Sequence, residues 1–511
     1  MASQPIGTFA LVLHTHLPWL NHHGRWPVGE EWLHQAWATS YDRVLDLLHR
    51  LAAQGHRDLL TLGITPVLAA QLDDPYSLGN QHTWLGFWQT RAAGLAGSGD
   101  ASAHLGNWEY RRASAALQRF EDRWRHGGSA VIRPLVDHGV IDLLSGPAAH
   151  PFQPLLEAPM MRASLSAGLD DGILRWGSFG GGIWAPECGY APGLEREYAR
   201  AGVTHFMMDG PTLRHVGRST TRGYPIGDSD VVAFGRDLDV SYRVWSPRKG
   251  YPGGKWYRDF HTYGPRWGFQ HARVTGKGVP GPEKAMYEPE RAAAAVKHDA
   301  ADFIGHVRRR LETIRAQEGQ PGLVVAAYDT ELFGHWWDEG PQWLEAVLTA
   351  MPAAGIRVTT LQGALDQGLV AAPVQPEAGS WGAGKGFQTW AGESVRDIVS
   401  DNDHLQRTVL KTLASVPAEQ HLARSLPLDQ LLRSALLALA SDWAFMITKD
   451  SAAEYARRRH FFHHSDTHRL AAVIEQHGAE SVAAHREADA QRLINGPFGH
   501  LDARRVSTAG L

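Results

Sequence analysis

The chain has 511 residues, 43% hydrophobic and 20% charged. That is enough to bury a sizeable core in about two to five domains. Fifty Lys and Arg against 54 Asp and Glu leave a net charge of −4, which argues against phosphate-neutralising nucleic-acid binders and polybasic membrane-surface proteins. The lone Cys188 excludes an intramolecular disulfide and a cysteine-based zinc cluster. With no basic leader and no run of about 18 apolar residues, a cytoplasmic protein is expected. The counts of 28 His and 19 Trp are high, and tryptophan suits flat ligands such as sugar rings as well as cores.

In chain order, the first β-branched apolar run, 8–13, predicts a buried strand. It leads directly into His14-Thr15-His16-Leu17-Pro18-Trp19. Alternate strand residues point the same way, so His14 and His16 would bind a divalent metal, donate hydrogen bonds to a polar ligand, or pack as satisfied imidazoles. A second strand is expected at 59–64. Residues 68–137, rich in Trp, Arg and Ala, predict a helical insertion. Strands resume at 140–144, 182–185 and 204–208. His150 falls in the loop after 140–144, either capping it or touching a ligand. The run 182–185 enters Trp184-Ala185-Pro186-Glu187-Cys188-Gly189-Tyr190, where Glu187 is a candidate nucleophile or acid/base. Gly180, Gly181 and Gly182 precede this strand instead of following it, which speaks against a dinucleotide-binding turn.

Residues 245–273 interleave Trp245, Trp256 and Trp267 with Arg258 and Arg273. Such a stretch stacks on bases or on sugar faces, and the near-neutral charge favours sugars. Val296, Ala300, Phe303, Val307, Leu311 and Ile314 make one apolar helix face, with Arg308, Arg309 and Arg310 on a solvated outer side. The strand 323–327 ends in Tyr328-Asp329-Thr330-Glu331-Leu332-Phe333-Gly334-His335-Trp336-Trp337, from which Asp329 or Glu331 would face a pocket. A last strand is expected at 356–360. Residues 366–400, with Trp381 and Trp390, read as a linker that contributes loops. The remainder reads as all-helical, with one long amphipathic helix over 428–445 that includes Asp442 and Trp443.

Alternating strands and helices make an α/β fold. Polar residues at several strand ends (His14, His16, Glu187, Asp209, Asp329) predict a barrel, which carries function at the C-terminal ends of its strands. There Glu187 and Asp329 would meet. A carboxylate pair beside aromatic platforms suits glycosidic chemistry, one attacking the anomeric carbon and the other protonating the leaving oxygen.

The segments HTHLPW, WAPECGY and YDTELFGHWW resemble signature regions of glycoside hydrolase family 57, in particular its 1,4-α-glucan branching subgroup. VVAFGRDLDVSYRVWSPRKGYPG, YRDFH, RVTGKG, SWGAGKGFQTW and LLALASDWAF are also similar, in the family's order, so the resemblance runs from His14 to Arg459. It implies a distorted (β/α)7 TIM-like barrel from residues 1–67 and 138–365, a helical insertion at 68–137, and a C-terminal helical domain at 366–511 that supplies cleft aromatics. It implies retaining chemistry on an α-1,4-glucan without a metal or other cofactor. Glu187 would be the nucleophile and Asp329 the acid/base. His14, His16 and His150 would contact the glucose ring. Trp267, Trp381, Trp390 and Trp443 would line the cleft, with Trp19, Arg258 and Asp442 as further substrate contacts. Tyr224 would be a loop tyrosine favouring transfer over hydrolysis. No nucleic-acid or membrane partner is expected, and the chain would be a monomer or homodimer. Arg248, Lys249 and Ala383 depart from the family pattern on the expected acceptor side. The alternatives are a 4-α-glucanotransferase or amylase-type hydrolase of the same family, a metal-dependent sugar deacetylase using His14, His16 and a carboxylate, and a non-catalytic glucan-binding protein.

Overall fold

The computed structural model describes residues 4–246, 249–264, 266–417 and 422–506. Arg248 lies outside them. Nine strands form: β1 (Gly7–Thr15), β2 (Leu60–Ile64), β3 (Ile141–Ser145), β4 (Gly182–Ile183), β5 (His205–Met208), β6 (Gly223–Pro225), β7 (Val232–Gly235), β8 (Leu323–Asp329) and β9 (Ile356–Thr359). Their order is β6-β7-β5-β4-β3-β2-β1-β8, with β9 also on β1. Every described pairing is parallel except β6 with β7. Backbone bonds close the ring: Asp237 N–H donates to Val325 O at 2.8 Å and Leu323 N–H to Thr221 O at 2.9 Å. Strands β1, β2, β3, β4, β5, β7 and β8 therefore make a distorted (β/α)7 barrel.

The strand expected at 356–360 forms as β9, but it pairs only with Gly7–Ala10 of β1. The far half of β1 belongs to β2. The barrel strand that sequence reading passed over is β7, only four residues long. In β8, residues Leu323 to Tyr328 are all buried, as expected of a parallel strand covered on both faces.

The long helix Pro289–Glu318 begins with proline in its first turn and ends on left-handed Gly319. Its expected apolar face is the one that is buried. Phe303 meets Phe9 edge-on at 6.0 Å and Trp343 at 4.8 Å. Truncating such a residue costs about 3–5 kcal/mol. Arg308 and Arg309 are exposed, but Arg310 is not simply solvated: its Nε donates to Asp237 at 3.0 Å.

In the insertion, helices Pro75–Ala96 and Ala103–Asp122 pack together. Asp74 caps the first by accepting from Tyr76 and Ser77 N–H. Buried ion pairs join this unit to the barrel: Glu109 with Arg258, Arg112 with Asp338, and Arg119 with Asp42.

The single helix expected over 428–445 is two helices, Leu426–Ala438 and Ser441–Lys449. The first is buried nearly all round and so is not amphipathic. Ala440 turns extended (ψ 135°) and bridges to Pro151, while Ser441 N–H donates to His150 O at 3.0 Å. The break turns Ser441 and Asp442 toward the barrel mouth. Among the described residues, no helix is long and apolar enough to cross a membrane.

Candidate active site

β1 and β8 are neighbours in the sheet, and their register sets His14 beside Asp329. Thr15 and Thr330 hydroxyls meet across this pair at 2.7 Å. Just beyond, Gly334 (φ +111°) comes so close to the π-helical turn Trp37–Tyr41 that a Cβ would lie 1.9 Å from Thr39 O. Only glycine fits there. The contact holds Tyr41 against the site, and its hydroxyl donates to Glu331 at 2.5 Å.

Glu187 follows β4 in a tight turn. Glu187 and Cys188 both hold left-handed backbone, φ 61° and 49°, a conformation that costs non-glycine residues about 1–3 kcal/mol and clusters at functional sites. Gly189 then passes so near Phe152 that a Cβ would be 2.6 Å from its ring. The turn aims the Glu187 carboxylate inward. Trp381 Nε1–H donates to Oε2 and Ser441 Oγ–H to Oε1, each at 2.8 Å. An indole N–H has no lone pair to offer, so Oε2 is fixed as an acceptor.

The Ser441 proton points at Glu187, so the hydroxyl accepts from His150 Nδ1–H, 3.0 Å away. His150 is then the Nδ1–H tautomer, and its buried Nε2 lone pair has no protein partner. His14 Nδ1 is likewise buried and unpartnered. Burial holds both imidazoles well below the usual histidine range, so they are neutral. His16 differs. Burial lowers its pKa, but the Asp442 carboxylate, 2.9 Å from Nε2, together with the Glu187 and Glu331 charges, raises it on balance. Its Nδ1 meets Thr65 Oγ1 at 3.0 Å. His16 is the charged ring of the three. It stacks on His150 at 3.8 Å, and His14 stacks on Trp184 at 4.2 Å, so together these rings make an aromatic floor.

Burial pushes Glu187 up to about 7 and desolvation pushes Asp329 up to about 6, the latter opposed by Arg236 and His16. Glu331 rises to about 8, by burial and by the Asp329 charge. Its Oε1 accepts from His16 N–H at 3.2 Å. Glu331 therefore ties the β1 end to the β8 loop, and Asp329 is the carboxylate left without a tight donor. Asp209 sits between Arg236 (3.0 Å) and Lys385 (2.7 Å). The Arg236 guanidinium also lies 5.3 Å over Trp381, and this clamp holds the loop that brings Trp381 to Glu187.

The structure thus gathers Glu187, Asp329, His14, His16, His150, Trp381 and Asp442. It does not bring the rest of the expected residues to the same place. Trp19 is buried, and its N–H is used on Ile494 O at 3.0 Å. Trp390 stacks inside on Phe152 at 4.6 Å. Trp443 is buried with its N–H on Leu437 O at 2.9 Å. These three pack the joint behind the site. Tyr224 is not a loop residue. It lies on β6, buried among Leu165, Tyr198 and Phe206, with its hydroxyl 3.3 Å from Ser219. Trp267 is half-buried against Gly94 of the insertion. The Arg258 charge is spent on Glu109, although Arg258 does line a cleft of about 590 Å³ between insertion and barrel, with Trp26, Trp84, Phe260 and Trp336. Lys249 and Ala383 are exposed. Cys188 is buried, and burial raises its thiol, so it reads as packing. Sequence reasoning missed Ser441, Arg236, Lys385, Tyr41 and Thr65. Arg236, Lys385 and Ser441 carried a signal, standing in the family-like segments VVAFGRD, SWGAGKG and LLALASDWAF; Tyr41 and Thr65 did not.

His16, His150 and Asp442 place one ligand atom each within 4.8 Å of one another, as the metal alternative requires. In this arrangement Asp442 already occupies His16 Nε2 and Ser441 occupies His150 Nδ1.

The profile described as glycosyl hydrolase family 57 matches residues 10–368. The chain belongs to this family. A second profile, described as the C-terminal part of 1,4-alpha-glucan branching enzyme, matches residues 403–506 of this family 57 chain. A probable 1,4-alpha-glucan branching enzyme of Mycobacterium tuberculosis is 50% identical over 525 residues, covering 99% of each chain. The 1,4-alpha-glucan branching enzyme of Thermococcus kodakarensis is 32% identical over 91% of this chain and 73% of its own length. The crystal structure of a family 57 branching enzyme from Pyrococcus horikoshii superposes with a TM-score of 0.92 at 30% identity, covering 98% of this chain and 97% of that one.

Proposed function

We propose that this chain is a 1,4-α-glucan branching enzyme that works by retaining double displacement. Its catalytic unit would be 1–67 with 138–365, served by the 68–137 insertion and the 366–511 helical part. Asp329 protonates the scissile glycosidic oxygen while Glu187 attacks C1 and the leaving chain departs. Asp329 then takes the proton of a glucan 6-hydroxyl, which attacks C1 and releases Glu187. Two inversions give retention and an α-1,6 branch. The lone pairs of His14 and His150 would accept from glucose hydroxyls, and His16, with both ring nitrogens held by Asp442 and Thr65, would supply positive charge beneath the ring. The cleft along the insertion, with its aromatic walls, would carry a glucan chain.

The observation that carries this reading is the Ser441–Glu187 bond at 2.8 Å. Ser441 lies in the segment matched by the branching-enzyme C-terminal profile, so that segment completes the nucleophile's setting. Two donors aim the Glu187 carboxyl inward, while Asp329, without such donors among the described residues, is the group free to carry a proton to the leaving oxygen. The setting for this chemistry would be the cytoplasm, with the protein as monomer or homodimer.

The test is to incubate purified protein with amylose and a chelator, then count new α-1,6 linkages against new reducing ends. Branch points in large excess support the proposal. Mostly reducing ends would make the chain a hydrolase on the same carboxylate pair. Activity lost to the chelator would revive the metal reading.

A further inference from the structure

The high histidine count is only partly used by the active site. A second group lies outside it, where helix Ala453–His477 packs on helix Arg396–Ser415. His460, His464 and His468 follow one another at four-residue steps, so they share a helix face. His404 and Asp401 come from the facing helix. His468 stacks on His404 at 5.2 Å with 21° between the rings. His460 is occupied, its Nε2 bonded to Asn402 Oδ1 at 2.9 Å. The other pair is different: His464 Nε2 and His468 Nε2 stand 3.3 Å apart.

Two ring nitrogens at that distance share a single proton at most, since two N–H groups would point at each other. The His464 nitrogen also meets Asp401 O at 3.2 Å. The spacing has a second meaning. Nitrogens bound to one tetrahedral zinc at about 2.0–2.1 Å stand roughly 3.3–3.4 Å apart, the edge of the tetrahedron. Neutral imidazole is the form that binds metal. The third and fourth donors would come from the facing helix, where the His404 ring and the Asp401 carboxylate do not converge on the pair until they turn. His404 and Asp401 are exposed, so their side chains turn at little cost.

We propose that His464 and His468, joined by His404 and the Asp401 carboxylate, form a binding site for a borderline divalent transition metal of the zinc class. Bound there, the ion clips one helix of the C-terminal part to another. The site is separate from the Glu187 and Asp329 chemistry and stands or falls independently of it.

The test uses the untagged full chain with zinc chloride as the probe. Calorimetric titration and thermal unfolding are followed for the wild type and for His464→Ala, His468→Ala and His150→Ala. The first two changes put the best helix former at half-buried positions of this helix, so the helix itself is preserved. We expect one zinc equivalent and a zinc-dependent rise in Tm. Both should weaken by about ten-fold or more in His464→Ala and His468→Ala, because losing a ligand costs at least as much as losing a supporting partner. Both should persist in His150→Ala. Equal zinc affinity in His468→Ala and wild type would overturn the assignment, as would loss of the equivalent in His150→Ala, which would move the ion to the active-site histidines. No uptake at about 1 mM zinc would overturn it as well.

Discussion

Glu187→Gln separates what the nucleophile does for catalysis from what its burial does to the fold. The substitution keeps the shape. The amide oxygen still accepts from Trp381 N–H, and the amide nitrogen donates to Ser441 Oγ, which turns its proton away. Burial lifts the wild-type carboxyl from 4.5 to about 7. Between those values the unfolded chain has lost the proton while the folded chain keeps it, so the folded state binds more protons and stability falls as pH rises. At 1.36 kcal/mol per pH unit the loss reaches about 3 kcal/mol by neutral pH and is complete above the folded pKa. A neutral amide at this position escapes it. The variant should match the wild type near pH 4 and exceed it by about 3 kcal/mol at pH 8, while branching falls to background because no glycosyl-enzyme forms. For a chain of this length unfolding as a unit, that is a gain of about 3 °C in Tm. Scanning calorimetry on both proteins from pH 4 to 9 reads the difference. A constant Tm offset across this range would refute the burial argument, and retained turnover would refute the nucleophile assignment.

The acid and the nucleophile of the free enzyme titrate in reversed order, Asp329 at about 6 and Glu187 at about 7. The kcat/KM profile on amylose should therefore be a narrow bell with limbs near those values, the reactive ionisation state reaching about 6% of the enzyme at its centre if the two groups titrate independently. A broad plateau from pH 5 to 8 would contradict this. Asp442→Asn removes the largest of the charges that raise His16, so the His16 pKa seen by NMR should fall and kcat/KM should drop by about ten-fold or more as the positive charge beside the carboxylates is lost. An unmoved His16 titration would show that another group sets its charge. Tyr224→Phe should leave the ratio of branching to hydrolysis unchanged, because the ring is buried on β6 with its hydroxyl 3.3 Å from Ser219. A shift toward reducing ends would restore the loop role.

Much of the fold was legible because parallel strands buried on both faces read as bare apolar runs. β1 and β8 were plain for that reason, and the steps from Val296 to Ile314 gave the long helix its face. β7 was missed because four residues, one of them glycine, carry too little pattern. The proposed catalytic carboxylates were legible as polar residues at the ends of apolar strands, a local signal. Their partners were not, since Ser441, Lys385 and Arg236 reach the site through loops whose course no local spacing fixes. The tryptophans mark the same limit from the other side. Trp19, Trp390 and Trp443 stand in segments that resemble the family, yet each is buried in the packing behind the site, two with their N–H on backbone carbonyls. A recurring aromatic position thus has two physical causes, touching the ligand or holding what touches it. Only the indole's surroundings tell them apart. Trp381 is the one whose N–H ends on the nucleophile, and its loop is clamped by the Asp209, Arg236 and Lys385 charges. On this reasoning the charge cluster positions Glu187 through Trp381, so the orientation of the proposed nucleophile depends on the Asp209, Arg236 and Lys385 charges as well as on its own donors.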